Sequence, residues 1–205
     1  DIVFNCTNYD ETYIMGYCNS FVKIGIDKEF NYFGIRFLPG IFPSLFNIDA
    51  SELSNHYERL NTVQPCIYNV IQQSKDRCLC LQDLCDELNI YFIKHINKID
   101  KPFDNRFFCA LETILKSKGS IIIEKDLNDG ISSRHLQRLF NFYIGDTAKS
   151  FCRIVRFQNL LKIDPSVKLI KSEKSYYDFG YYDQTHFIKE FKLFYGKTPL
   201  KIAAE

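Results

Sequence analysis

The chain repeats one stretch at a constant offset of 51 residues. Ser132–Thr147 aligns with Asp183–Thr198: His135 with His186, Leu136 with Phe187, Arg138 with Lys189, Phe140 with Phe191, Tyr143 with Phe194, Gly145 with Gly196 and Thr147 with Thr198. Both copies are punctuated as helices. Ser132 and Asp183 can accept hydrogen bonds from the free N–H groups of a first turn. Gly145 and Gly196 suit the left-handed residue that ends a helix, and Pro199 follows the second copy. Phe187, Phe191 and Phe194 recur at helical spacing and form one apolar face. Gln184, Thr185, Lys189 and Lys192 fall largely on the other face. Each copy therefore needs a core on one side and offers polar and cationic groups on the other, which predicts two helix-turn-helix units in tandem.

At 205 residues the chain suits one or two domains with a real core. Its apolar content of 46% and charged content of 25% are those of a globular protein. No apolar run approaches the roughly 18 to 20 residues of a membrane span, and nothing at the start resembles a signal peptide. The chain lacks an initial Met and opens inside an expected strand, Ile2-Val3-Phe4, so a preceding segment is expected. The net charge of +1 hides an asymmetry: residues 1–104 carry −5 and residues 105–205 carry +6. The basic half holds the repeat, which favours a polyanion partner. The eight cysteines are irregularly spread. Without a secretory signal they read as reduced, mostly buried thiols in a cytoplasm. Cys78, Cys80 and Cys85 lack zinc-ligand spacing. Cys78, Leu81, Cys85 and Leu88 instead lie at helical spacing, as core positions would.

Taken in order, residues 1–48 read as four short strands: Ile2–Asn5, Tyr13–Tyr17, Phe21–Ile26 and Tyr32–Phe37. Ile41–Phe46 is a loop or short helix. Asp49 and Ser51 begin a helix to about Leu60, and residues 63–99 carry further helical periodicity. Asp100-Lys101-Pro102 is the expected boundary. Asp104 caps the next helix, which stops near Gly119. The first unit follows, with a support helix at 121–128, a turn at Asp129-Gly130-Ile131 and a second helix from Ser132 to about Ile144. Thr147 caps a long linking helix that Asp164-Pro165 breaks. The second unit has a support helix at Lys168–Phe179, a turn at Gly180-Tyr181-Tyr182 and a second helix from Asp183. The fold class is α+β: a partial N-terminal β segment with helices (1–100, strands in 1–48), then an all-α domain (101–205).

A helix enters the major groove with its N-terminal side chains near base edges. Here these are Ser133, Arg134, Gln137 and Arg138 on the first helix, and Gln184, Thr185, His186 and Lys189 on the second. Arg suits guanine and Gln suits adenine. Lys192, Asn141 and the linking-helix cations Lys149, Arg153 and Arg156 would meet phosphates. His135 and His186 sit beside the apolar stripe, where a structural role competes with base reading. Two such helices on one rigid linker would read adjacent groove segments about 34 Å apart, with bending of the duplex where needed. No nucleophile–base cluster, phosphate-cradling loop or metal motif points to an enzyme or a cofactor.

Residues 132–147 and 180–199 resemble the two helix-turn-helix halves of the AraC/XylS family of bacterial transcription regulators. The run Gly180-Tyr181-Tyr182-Asp183-Gln184-x-His186-Phe187-Ile188-x-Glu190-Phe191-Lys192, ending in Gly196-x-Thr198-Pro199, is similar to that family's C-terminal signature. Ile154-x-Arg156-Phe157-Gln158 resembles its linking helix. Tyr32–Gly40 followed by Ser51-Glu52-Leu53 resembles the end of a cupin-like N-terminal sensory domain. The resemblance implies a regulator that binds double-stranded DNA, contacts RNA polymerase, and dimerises or senses a small-molecule effector through its N-terminal domain. It carries base reading onto Arg134, Gln137, Arg138, Thr185, His186 and Lys189. The family's support helices usually place a small Ala where they cross the recognition helix. Tyr176 stands there in the second unit, and Asp126 or Leu127 in the first, which implies an altered fit. The alternative reading is a ligand or partner-protein sensor whose units have weakened or lost DNA binding.

Overall fold

A computed structural model of the chain describes residues 1–25, 30–75, 77, 80–99, 103–127, 130–163 and 175–202. The N-terminal part is an antiparallel sheet of β1 (Ile2–Asn5), β2 (Asn8–Met15), β3 (Tyr32–Ile35) and β4 (Tyr57–Arg59), in the order β3-β1-β2-β4. The β1–β2 turn is set by Asn5, whose side-chain oxygen accepts from the amide and the hydroxyl of Thr7. A short polar side chain here takes the place of a backbone turn bond. The register sets Ile2 beside Ile14 and Ile35, and Phe4 beside Phe33. Because side chains alternate along a strand, this makes one face of the sheet apolar.

Among the described residues, four α-helices follow within this part: α1 (Ile41–Phe46), α2 (Leu60–Val63), α3 (Pro65–Ser74) and α4 (Leu81–Ile96). Ile2, Phe4 and Ile14 are buried with Phe42, Leu60, Ile67, Ile71, Leu84 and Leu88 in one core.

Three local expectations change here. Of the strand expected at Phe21–Ile26, Phe21–Gly25 forms none and Ile26 lies outside the described residues; the Phe21 amide donates instead to the carbonyl of Leu193 at 2.7 Å. The helix expected from Asp49 to about Leu60 is a single 3₁₀ turn, Ala50–Leu53, with Asp49 accepting from the Ser51 amide. The chain then extends so that Tyr57 and Arg59 pair with Met15 and Tyr13. The cysteines are also less buried than their type suggests. Among the described ones only Cys152 is buried, and burial pushes its thiol up to about 11, while Cys66, Cys80 and Cys109 are exposed. Leu88 is core and Cys85 half-buried, but Leu81 is 61% exposed, and Cys78 lies outside the described residues.

The regular elements among the described residues of the C-terminal part are all helices: α5 (Asn105–Lys116), α6 (Ile123–Asp126), α7 (Ser133–Ile144), α8 (Ala148–Ile163), α9 (Ser175–Asp178), α10 (Gln184–Tyr195) and α11 (Pro199–Ile202). The whole is α+β. Asp104 accepts from the Arg106 amide at the start of α5. Thr147 accepts from the Ser150 amide at the start of α8. Asp100, Lys101, Pro102, Asp129, Asp164, Pro165 and the expected support-helix residues 168–174 lie outside the described residues.

Two apolar cores divide α8 between them. Ala148, Phe151, Cys152 and Val155 join Phe107, Leu111, Ile114, Leu136, Leu139 and Phe140. Phe157 and Leu160 join Tyr181, Phe187 and Phe191. Helix α8, about 24 Å long by its rise per residue, thus carries one unit on its first half and one on its second. The N-terminal part is bonded to the first unit. Ser54 Oγ donates to the Gly145 carbonyl at 2.6 Å, and Asn19 Nδ2 donates to Asp146 Oδ2 at 2.8 Å. The Tyr17 hydroxyl lies 3.3 Å from that of Ser150.

Candidate nucleic-acid interface

Helices α7 and α10 begin and end at the same offset of 51 that the sequence shows. Their ends are built from the residues whose chemistry marked them. The His135 amide donates to Ser132 Oγ at 3.3 Å, and the His186 amide to Asp183 Oδ1 at 2.7 Å. Gly145 and Gly196 close the helices at φ 92° and 83°, a region that L side chains enter only with strain. Each helix is therefore capped at both ends, a suitable base for a reading surface.

The inner faces are buried. Leu136, Leu139, Phe140 and Ile144 line the back of α7, and Phe187, Glu190 and Phe191 that of α10. The outer faces carry the expected readers. Ser133, Arg134, Gln137, Arg138 and Asn141 are exposed on α7; Gln184, Thr185, Lys189 and Lys192 are exposed on α10. With Arg134 and Arg138 on one helix and Lys189 and Lys192 on the other, both fronts present cations beside amide and hydroxyl groups. That is the mixture that positions on phosphate and reads base edges. Residues 129–204 match a family model described as Helix-turn-helix domain.

This is an AraC-type helix-turn-helix domain. Such a domain implies DNA binding in transcription regulation. Residues 1–59 match a family model described as Domain of unknown function (DUF6597). Neither a curated protein nor a solved structure matches the chain. Among the described residues, no helix is long and apolar enough to cross a membrane.

Of the support helix expected at 121–128, α6 covers Ile123–Asp126 and Asn128 lies outside the described residues; of the second, the described part is α9. In the first unit Leu127 is the buried one of the two, 4% exposed in the core that also holds Leu136 and Phe140, while Asp126 turns back to accept from the Ile122 amide. In the second, Tyr176 is accommodated as part of an aromatic core, parallel to Phe187 at 6.5 Å between ring centres and packed with Phe179 and Phe194. The bulk that replaces a small residue is taken up by rings. Tyr181, read as a turn residue, is buried in that same core, and burial holds its hydroxyl far above the ordinary phenol range.

Three residues expected to face DNA make polar contacts within the protein. His186 is half-buried and both its ring nitrogens are engaged. The Tyr182 amide donates to Nδ1 at 3.4 Å, and Nε2 lies 3.2 Å from Glu190 Oε1. Of the linking-helix cations, Lys149 is exposed, but Arg153 and Arg156 turn into the second unit. Arg153 Nε donates to Glu190 Oε1 at 2.5 Å, and Arg156 Nη1 donates to the Gly180 carbonyl at 2.6 Å. On α7, by contrast, Arg138 Nη2 lies 3.0 Å from His135 Nδ1, so this histidine touches an expected base reader. Two residues of the signature run lie where their motif positions do not reveal. Glu190 is 3% exposed on the buried face of α10, and Tyr182 is 84% exposed beside the start of α10. The alternation of exposed and buried tyrosines at 181 and 182 offers no local signal of which faces out.

Proposed function

We propose that the protein is a sequence-specific transcription regulator whose two units read adjacent major-groove segments of one duplex. Ser133, Arg134, Gln137 and Arg138 contact base edges from α7; Gln184, Thr185 and Lys189 do so from α10. Lys192, Asn141 and Lys149 hold phosphates, and His186, within α10, partners Glu190 rather than reading. Residues 1–100 act as a sensory or dimerisation domain, and residues 101–205 as the DNA-binding domain. The observation that carries this reading is the pairing of two helices with matching bounds, both with apolar backs buried and polar fronts exposed, on one linking helix. Direct contacts between the N-terminal part and the helix-turn-helix domain support a route by which an effector would influence DNA binding.

Selection from random duplexes with the intact chain tests the proposal. The expected product is a bipartite sequence with its halves about 10 to 10.5 base pairs apart. Affinity should fall steeply as salt rises, because phosphate contacts release counterions. Salt-insensitive binding with no enriched sequence would favour a sensor that does not read DNA.

A further inference from the structure

The inner face of α10 carries a carboxylate where α7 carries a hydrocarbon. The offset of 51 sets Glu190 against Leu139, both buried. Burying a carboxylate costs several kcal/mol unless it is paired and hydrogen-bonded, and a well-packed apolar residue stabilises at least as well. Stability alone therefore does not account for Glu190. Its distinguishing property is direction. Ring-on-ring packing in this core tolerates sliding, whereas charge-assisted hydrogen bonds are short and orient their partners.

Those bonds run from α8 to α10. Glu190 Oε1 accepts from Arg153 Nε on α8 and lies beside His186 Nε2 on its own helix. The Arg153 guanidinium also lies 5.5 Å from the centre of the Phe194 ring, one turn further along α10. Arg156, one turn along α8 from Arg153, donates to the Gly180 carbonyl before α10 and sits 5.2 Å over the Tyr181 ring. One face of α8 thus grips α10 at its middle and at its entry.

We infer that Arg153 and Glu190 are positioning residues that fix the register of the second recognition helix on α8, and through it the spacing between the two DNA half-sites that the protein accepts. The inference rests on the proposed reading of DNA by both units. One base pair added between half-sites moves the second by about 3.4 Å and turns it by about 34°. A register held by directed bonds excludes such a shift; a core of rings alone absorbs more of it.

The test uses the full chain and duplexes carrying the selected bipartite site with its separation changed by −1, +1 or +2 base pairs. The wild type should lose about tenfold or more in affinity for each changed spacing, as expected when contacts worth about 1.4 kcal/mol are lost. The double variant Arg153→Leu/Glu190→Leu keeps the burial without the bonds. It should melt near the wild-type temperature and bind a duplex with only the α7 half-site as the wild type does. Its preference among spacings should shrink to about threefold or less. Glu190→Gln, which retains an acceptor oxygen, should fall between and serves as the readout if the double variant does not fold. A folded variant set that discriminates spacings as sharply as the wild type overturns the inference while leaving DNA reading intact. A wild type that selects no bipartite site overturns both.

Discussion

Unit 1, of α6 and α7, is seated on α5, on the first half of α8 and on the N-terminal part, whereas unit 2, of α9 and α10, is seated on the second half of α8. The first rests on a large apolar core in which Phe107 is fully buried, lies face-to-face with Tyr143 at 4.3 Å and packs edge-on to Phe140. The second has a small core that is almost all aromatic, supplemented by Arg153–Glu190 and Arg156–Gly180. A backbone bond from Phe21 to the Leu193 carbonyl adds a tie to the N-terminal part. The same helix-turn-helix sequence pattern is thus held mainly by area in one copy, with directed bonds from Ser54 and Asn19 at the end of α7, and by a charged pair inside the core in the other. Area resists unfolding, and direction resists displacement.

The largest effect expected from this contrast lies in the two cores. Phe107→Ala should cost about 3–5 kcal/mol and lower the melting temperature of the chain as a whole. Phe191→Ala, with a comparable local cost, should raise amide exchange in 184–195 far more than in 133–144. Equal loss of protection in both helices would show that the units are not separately anchored. Next comes Glu190→Ala, which leaves Arg153 without its carboxylate and should cost roughly 3 kcal/mol in urea unfolding. The Leu/Leu pair described above should be more stable than this single change, since it removes both charges.

On DNA, Arg138→Ala and Lys189→Ala should each weaken binding to the selected site by about 1–3 kcal/mol and relax preference at one position in its own half. Loss that is uniform over all sequences would assign the residue to phosphate. The helix caps follow: Ser132→Ala and Asp183→Ala should each cost about 1 kcal/mol, with Asp183 the larger because its charge also meets the helix dipole. Differential melting of the two variants by urea checks the order.

The smallest effect is electrostatic. Burial raises the Asp146 carboxyl, but hydrogen bonds from Asn19, Thr147 and Ser150 outweigh it and hold the group below its ordinary value. A depressed folded value means the contribution is present above the unfolded pKa of about 3.9 and is lost as pH falls through the folded value. The wild type should therefore lose more stability than Asn19→Ala between about pH 6 and pH 3. Equal losses, read as urea midpoints, would remove Asp146 from the junction between the N-terminal part and unit 1.

What the sequence displayed of this molecule depends on distance along the chain. The bounds of α7 and α10 were legible because cap chemistry and a 3.6-residue period are local, and a second copy at offset 51 corroborates the first. The sheet was half legible. Ile2–Asn5 and Tyr32–Ile35 show β composition, but Tyr57-Glu58-Arg59 is polar and becomes a strand only by pairing with β2, more than forty residues earlier. Phe21–Gly25 has the aromatic and β-branched composition of a strand, yet its first amide is drawn to α10 by tertiary contact. The same limit applies to the site. Exposed Arg134, Gln137, Arg138 and Lys189 follow from helical phase alone. Arg153 and Glu190 meet across 37 residues, and no periodicity separates a cation that faces phosphate from one that faces a buried carboxylate.

The central claim is that two units on one linker read two halves of one site. The most direct measurement is selection of random duplex DNA by the intact chain, followed by affinity for the enriched sequence across a salt series. The account predicts a two-part sequence with halves about one helical turn apart. It also predicts a steep linear fall of log affinity with log salt concentration. Enrichment of one half-site alone, at full affinity and unaffected by Lys189→Ala, would contradict it.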